Sequence, residues 1–516
     1  MPANQFLHTF IPEVKAKSRQ VNLASWILET TGSKDAAHLK AELETELRLL
    51  FNDKEAYHKL AEWDKDTAIA DPLLKRQVNV LLRQFIPNQI DRSLVEKIAR
   101  QEAALAVKYS NFRPLLEGSP RTENDIREIL KTETSLVKRR EAWEASKEIG
   151  KELAPAILNL VRLRNEAAKS LGYPDFFEMQ LSLQEVETDW LFSFLDQCAK
   201  QSESAYQKVL DQIHSDAKSR FNASDVDLGP WCWAEPFCQE DPVGTKELDS
   251  LVEGVDILKA SENFYAKMGL DVSEILKRSD NYERAGKNQH AFCIHIDREG
   301  DVRTLNNVTP TLKWLETVLH ELGHAVYEMG FAEDLPWLLK EPPHMLTTEA
   351  MALLAGRQAY RKQSLDLLVG EGDDALKQKA EESLKRRQLI FSRWALVMTY
   401  FERELYRNPE QDLQKLWWEI VERFQKVKCK GSRHGCDFAA KFHIGLAPVY
   451  YFSYLLGEVL ASAIEERCPS FASPETGKLL RDKIFSPGNR IGWDSLVREL
   501  TGSPLDKSAW IRQFAS

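Results

Sequence analysis

His320-Glu321-Leu322-Gly323-His324 places two imidazoles and a carboxylate within five residues. On a helix, side chains four apart stand one above the other, so His320 and His324 can reach a single metal ion. Glu321 follows the first imidazole and leans toward an open coordination position. A zinc ion held by neutral imidazoles lowers the pKa of a bound water toward about 7. A carboxylate beside it can take the released proton, leaving hydroxide to attack a peptide carbonyl. Such a site needs a third protein ligand. Ala325, Val326, Tyr327 and Glu328 follow the second imidazole, and no histidine comes before His344, so a third histidine at short fixed spacing is ruled out. Glu349, in Thr347-Thr348-Glu349-Ala350-Met351-Ala352-Leu353-Leu354, is the best candidate. It stands in the first turn of an otherwise apolar helix, where the positive helix end favours a carboxylate and burial without a partner is costly. A capping carboxylate is the other reading of that position, and Glu333, Asp334, Glu341 and His344 are rivals in the connecting loop. Glu316 lies one turn before His320, placed either to accept that imidazole's other ring N–H and fix its tautomer or to sit exposed on the helix.

Several elements must hold these residues. Thr309-Pro310 predicts the start of the histidine-bearing helix, and Gly330 its end. His290 to Ile296 and Asp301 to Leu305, around Asp297-Arg298-Glu299-Gly300, predict a β-hairpin just before it. Residues 1 to about 180 read as helices, with apolar positions such as Leu39, Leu43, Leu47 and Leu50 at helical spacing. Pro72, Pro87, Pro114, Pro120 and Pro155 should divide that stretch into helices of moderate length. Gly229-Pro230-Trp231-Cys232-Trp233-Ala234-Glu235-Pro236-Phe237 reads as an ordered aromatic loop, and the chain after Gly330 as helix to its end.

Composition narrows the classes. The chain has 516 residues, 43% hydrophobic and 29% charged, as expected of a globular protein. A net charge of −10 and a pI near 5.7, with no basic stripe, exclude a nucleic-acid-binding footprint. Met1 to Phe6 lacks a basic region followed by an apolar run, so no signal peptide is expected. The longest apolar stretch, Val449 to Ile464, is interrupted by Ser453, Gly457, Glu458 and Ser462, and no membrane span is expected. Seven scattered cysteines without a C-x-x-C pair predict reduced thiols in a cytoplasmic protein.

The segment Leu315-Glu316-Thr317-Val318-Leu319-His320-Glu321-Leu322-Gly323-His324-Ala325 resembles the zinc helix of thimet-type oligopeptidases. Other segments resemble the same superfamily of gluzincin metallopeptidases, which includes angiotensin-converting enzyme and the thermostable carboxypeptidases. The 25-residue gap from His324 to Glu349 suits their third ligand. Ala440-Lys441-Phe442-His443-Ile444 is similar to the converting-enzyme segment with a substrate-binding lysine and histidine. Tyr451-Phe452-Ser453-Tyr454-Leu455-Leu456-Gly457-Glu458 is similar to the oligopeptidase tyrosine segment, and His290-Ala291-Phe292 with Asp301-Val302-Arg303-Thr304 to the strand beside substrate. Arg164 to Tyr173 is also similar. The resemblance covers residues 155 to 465, with the N-terminal third alike only in helical character.

The resemblance implies a mostly α, two-lobed zincin-like body with a deep central channel, zinc at its floor and one small β-sheet beside the zinc helix. Residues 1–516 would form a single catalytic unit, with 1–180 as lid and one channel wall and 181–516 as the zinc-bearing part. It implies one Zn2+ per chain on His320, His324 and Glu349, Glu321 as general base, and Tyr454, Tyr451 and His443 as oxyanion donors. His290 and Ala291 would pair with an extended substrate backbone, and Lys441 would meet a substrate carboxylate. Taken without the resemblance, both tyrosines read as core aromatics of an apolar helix.

Three departures bear on specificity. Glu235 stands where converting enzyme has a carboxylate-binding glutamine, and Tyr451 takes the tyrosine's place only with one residue inserted after His443. Leu353 replaces the aspartate supporting the second histidine, which leaves that support to Glu316. No arginine lies between Tyr451 and Tyr454, so chloride sensitivity is not expected. The expected activity is zinc-dependent hydrolysis of short oligopeptides. Peptidyl-dipeptidase or carboxypeptidase action is the alternative within the class, and a non-catalytic peptide-binding protein or a helical scaffold with a chance motif lies outside it.

Overall fold

The computed structural model describes residues 1–224, 227–243, 246–429, 435–468 and 470–516. Among them the protein is mostly α, with two antiparallel two-stranded sheets. Contacts divide the chain into two compact units. One comprises residues 1–96, 247–381 and 456–509, the other 97–246, 382–455 and 510–516.

In the first unit, helix α1 (Ala3–Thr31) ends where Gly32 adopts φ 65° and returns its N–H to Leu28. Gly286 lies so close there that a methyl on Gly32 would sit 2.5 Å from its carbonyl oxygen, so glycine is required twice over. A core of Phe6, Leu60, Val78, Leu81, Phe85, Leu338 and Leu339 fills this part of the unit.

The second unit is built on α2 (Leu136–Ser170), 35 residues long. Pro155 lies inside it and does not end it, contrary to the expectation from sequence. A proline removes one helical hydrogen bond, and burial of Leu153, Ala154, Ile157, Leu160 and Val161 along the same helix outweighs that loss. Trp143 of α2 packs with Trp231, Ile126 and Leu130 in a second core. Arg139, fully buried, donates to the carbonyls of Trp231 and Trp233 and so fixes the aromatic loop predicted around Gly229 to Phe237.

Strands β1 (Phe292–His295) and β2 (Val302–Leu305) form the predicted hairpin, pairing Phe292 with Leu305 and His295 with Val302. Arg298 at φ 59° and Gly300 at φ 113° make its turn. The pairing starts at Phe292, leaving His290 and Ala291 just before the strand. Helix α3 (Leu312–Met329) follows, capped by Thr311, whose hydroxyl accepts the Trp314 N–H, rather than by Thr309. Three further helices matter below: α4 (Met345–Arg357), α5 (Asp374–Arg407) and α6 (Phe452–Glu465).

Candidate active site

His320 and His324 project from one face of α3 with ring centroids 5.0 Å apart. Glu349 of α4 meets them: its Oε2 lies 3.9 Å from His320 Nε2 and 4.0 Å from His324 Nε2. Among the described residues these three form the one group of His, Cys, Asp or Glu able to hold a metal ion, with ligand atoms within 4.8 Å of one another. Tetrahedral zinc bonds of roughly 2.0–2.1 Å separate donors by about 3.4 Å, so the three ligand atoms must draw together by about half an ångström or more to seat an ion. Burial drives the pKa of His320 down to about 3 and that of His324 well below its usual value. Both rings are therefore neutral, with lone pairs available to a metal. Two neutral imidazoles and a carboxylate are a donor set that fits zinc.

Close approach of two helices brings the carboxylate to the histidines. A methyl on Gly323 would lie 2.8 Å from Ala352 Cα and 3.0 Å from the Met351 carbonyl oxygen, so this crossing requires glycine at 323. At the other end of α4, Arg357 is buried against α6, donating to the Glu458 carboxylate, to its carbonyl and to Ser462. Gly457 of α6 presses on the Glu349 stem, with room for a methyl only at 3.1 Å from Glu349 Cβ. The N-terminus of α4 is capped by His344, whose Nδ1 accepts the Leu346 N–H at 2.8 Å. Glu349 therefore lies beyond the first turn and is not the cap, and His344, a rival ligand, is employed as one. Another rival, Glu341, pairs with Arg298 and Asn489.

Glu321 is buried at 7% exposure, and its pKa rises to about 8, first through burial and then through the nearby Glu349 carboxylate. A divalent cation between the imidazoles would draw it back down. Glu316 accepts the Tyr360 hydroxyl at 3.1 Å and pairs with Lys313. Sequence reasoning missed Thr348, whose Oγ1 lies 2.6 Å from His324 Nδ1. With Nε2 aimed at the metal position, Nδ1 carries the proton and donates it to the hydroxyl. No spacing in the sequence signals Thr348, because its partner lies on another helix 24 residues away. His290 is exposed, with its backbone N–H on Asn288, and Ala291 is half-buried.

The second unit gathers the remaining candidates. His443 and Tyr451 rings lie 4.7 Å apart and Tyr451 and Tyr454 rings 5.3 Å apart, against Trp394 and Phe391. Lys441 Nζ stands 5.8 Å from the Tyr451 ring centre and 5.1 Å from that of Phe237. Glu235, fully buried, turns away from any exposed role. It accepts the backbone N–H groups of Phe237 and Gln239 and the Gln239 side-chain amide. The amide oxygen of Gln239 in turn lies 3.5 Å from Lys441 Nζ. A glutamine thus stands beside the lysine after all, four residues beyond the position the sequence suggested.

A sequence model of Peptidase family M3 matches residues 129–516, well over half of the chain. The chain belongs to Peptidase family M3. Membership places it among the zinc metallopeptidases, and the likeness reaches the N-terminus as well, where a model of angiotensin-converting enzyme matches residues 1–226. Relatives include angiotensin-converting enzyme-like protein Ace3 of Mus musculus, 22% identical over 86% of this chain and 67% of its own length. Angiotensin-converting enzyme of Bos taurus is 23% identical over 76% of this chain and 34% of its own length. The chain thus spans about two thirds of the first of these family relatives and one third of the second. No helix among the described residues is long and apolar enough to cross a membrane.

Proposed function

We propose that this chain hydrolyses peptide bonds of short, flexible oligopeptides as a zinc-dependent peptidase. The convergence of His320, His324 and Glu349 beside the buried Glu321 carries the reading. The three would hold one Zn2+, with Thr348 and Glu316 orienting the imidazoles. When bound, zinc acidifies a water and polarises the scissile carbonyl. Glu321 takes the water's proton on its carboxylate and passes it to the departing amine, completing the atom balance of hydrolysis. Tyr454, His443 and Tyr451 are assigned, from their match to the family segments and their mutual packing, as hydrogen-bond donors to the developing oxyanion. His290 and Ala291 are assigned to the extended substrate backbone, with affinity arising from main-chain pairing. The seven cysteines, as thiols, suit a reducing, cytoplasmic setting.

Cleavage near a free C-terminus is a second reading, and the Gln239–Lys441 pair favours it. The Lys441 ammonium, beside Tyr451 and donating to the Gln239 amide oxygen, is a donor suited to a terminal carboxylate. Peptides of equal sequence with free and amidated C-termini, followed by mass spectrometry of the products, separate the two. Equal rates on both peptides, with internal cuts, support an endopeptidase. Loss of cleavage on amidation, with release of C-terminal dipeptides or single residues, supports the second reading. Absence of any cleavage by the zinc-loaded protein contradicts both.

A further inference from the structure

Between the short helix bearing His443 (Phe442–Leu446) and α6, which bears Tyr454, the chain passes through Val449 at φ 57°. A buried, β-branched residue in the left-handed region is strained, and such strain persists only where surrounding groups over-determine the backbone. Here they do. Glu402 of α5 accepts the Val449 N–H at 2.8 Å, and Gln184 donates to the Val449 carbonyl at 3.3 Å. Upstream, Arg164 of α2 donates to the Gly445 carbonyl at 2.9 Å and is itself fixed by Tyr406 and Glu102. Glu402 is 1% exposed, in a place where an apolar side chain would cost less to bury. Burial raises its pKa to about 8, so at neutral pH it is chiefly a neutral acceptor and no charge is interred.

We propose that Glu402 is a positioning residue for the reaction: by clamping Val449 in its strained conformation it sets the placement of His443, Tyr451 and Tyr454 relative to one another. The inference rests on the assignment of those three as oxyanion donors. A carboxyl that only stabilised the fold would not need to grip the one strained peptide of this segment.

The test measures kcat, KM and zinc content for Glu402→Leu, Glu402→Gln, Glu402→Leu with Val449→Gly, and Tyr454→Phe as reference. Misplaced catalytic groups cost rate more than binding, so Glu402→Leu should lose about tenfold or more in kcat with KM and zinc content near wild type. Glu402→Gln keeps an acceptor oxygen and should retain kcat. Glycine at 449 takes positive φ without strain and should recover much of the loss. A folded Glu402→Leu with wild-type kcat overturns the proposal, as does Glu402→Gln falling as far as Glu402→Leu. Should Glu402→Leu fail to fold, Gln184→Met removes the other grip and should lower kcat by roughly threefold with KM unchanged; unchanged kcat there overturns it. If Tyr454→Phe itself keeps full kcat, the oxyanion assignment has failed and the positioning role falls with it. An impaired Tyr454→Phe beside an unaffected Glu402→Leu condemns the positioning role alone.

Discussion

The His324 ring is held at both nitrogens, Nε2 toward Glu349 and Nδ1 against Thr348. Fixing the tautomer in this way strengthens an imidazole as a ligand, and loss of such partners costs about 10–100-fold in metal affinity. Thr348→Val should therefore weaken zinc binding by that order, while Thr348→Ser keeps it. Competition with a coloured chelator reads the difference, and equal affinities in the two variants would remove Thr348 from the site. The histidine pair was legible from spacing because helical periodicity fixes which residues share a face, whereas Glu349, on another helix, was a candidate among rivals until the family resemblance favoured it. Thr348 and Gln239 were not legible, since each acts through a partner distant in sequence, His324 in one case and Lys441 in the other. Glu235 shows the limit of reading by position. Its position suggested a place beside a substrate carboxylate, whereas the structure turns it onto the loop's own N–H groups.

The crossing of α3 and α4 decides whether a third ligand reaches the histidines. Gly323 costs the helix about 1 kcal/mol relative to alanine, a loss offset by backbone contact with Met351 and Ala352. Gly323→Ala should destabilise the protein by about 1–3 kcal/mol through overpacking and, by prising Glu349 from the histidines, lower zinc affinity as well. Thermal melts and zinc titration check the two effects separately. A melt shift with unchanged zinc affinity would mean that the crossing does not set the ligand geometry. Local punctuation predicted the hairpin turn and the end of α3 at Gly330, because Asp-Arg-Glu-Gly and a terminal glycine act over a few residues. It failed at Pro155 and at the cap of α3, where packing of the long α2 and the Thr311 hydroxyl prevailed.

No sequence boundary marks the two units because the chain passes between them five times, after residues 96, 246, 381, 455 and 509. Two of those passages fall inside α5 and α6, where composition has no reason to change. At this scale stability should depend on pH through Glu402. The folded protein keeps that proton up to about pH 8, whereas an unfolded glutamate releases it near 4.5. Unfolding thus releases a proton in this window, and stability falls as pH rises from about 5 to about 8, by at most about 1.4 kcal/mol per pH unit. Glu402→Gln has no proton to lose, so its melting temperature should decline less across the window; parallel profiles would contradict the assignment. The central claim is one catalytic zinc on His320, His324 and Glu349 with Glu321 as base. Zinc stoichiometry and peptide turnover measured together on wild type, His320→Ala, Glu349→Ala and Glu321→Gln test it most directly. The account predicts about one zinc per chain in wild type and Glu321→Gln, metal loss in the two ligand variants, and turnover reduced roughly 10²–10⁴-fold in Glu321→Gln. Full turnover in Glu321→Gln, or stoichiometric zinc retained without His320 or Glu349, would contradict it.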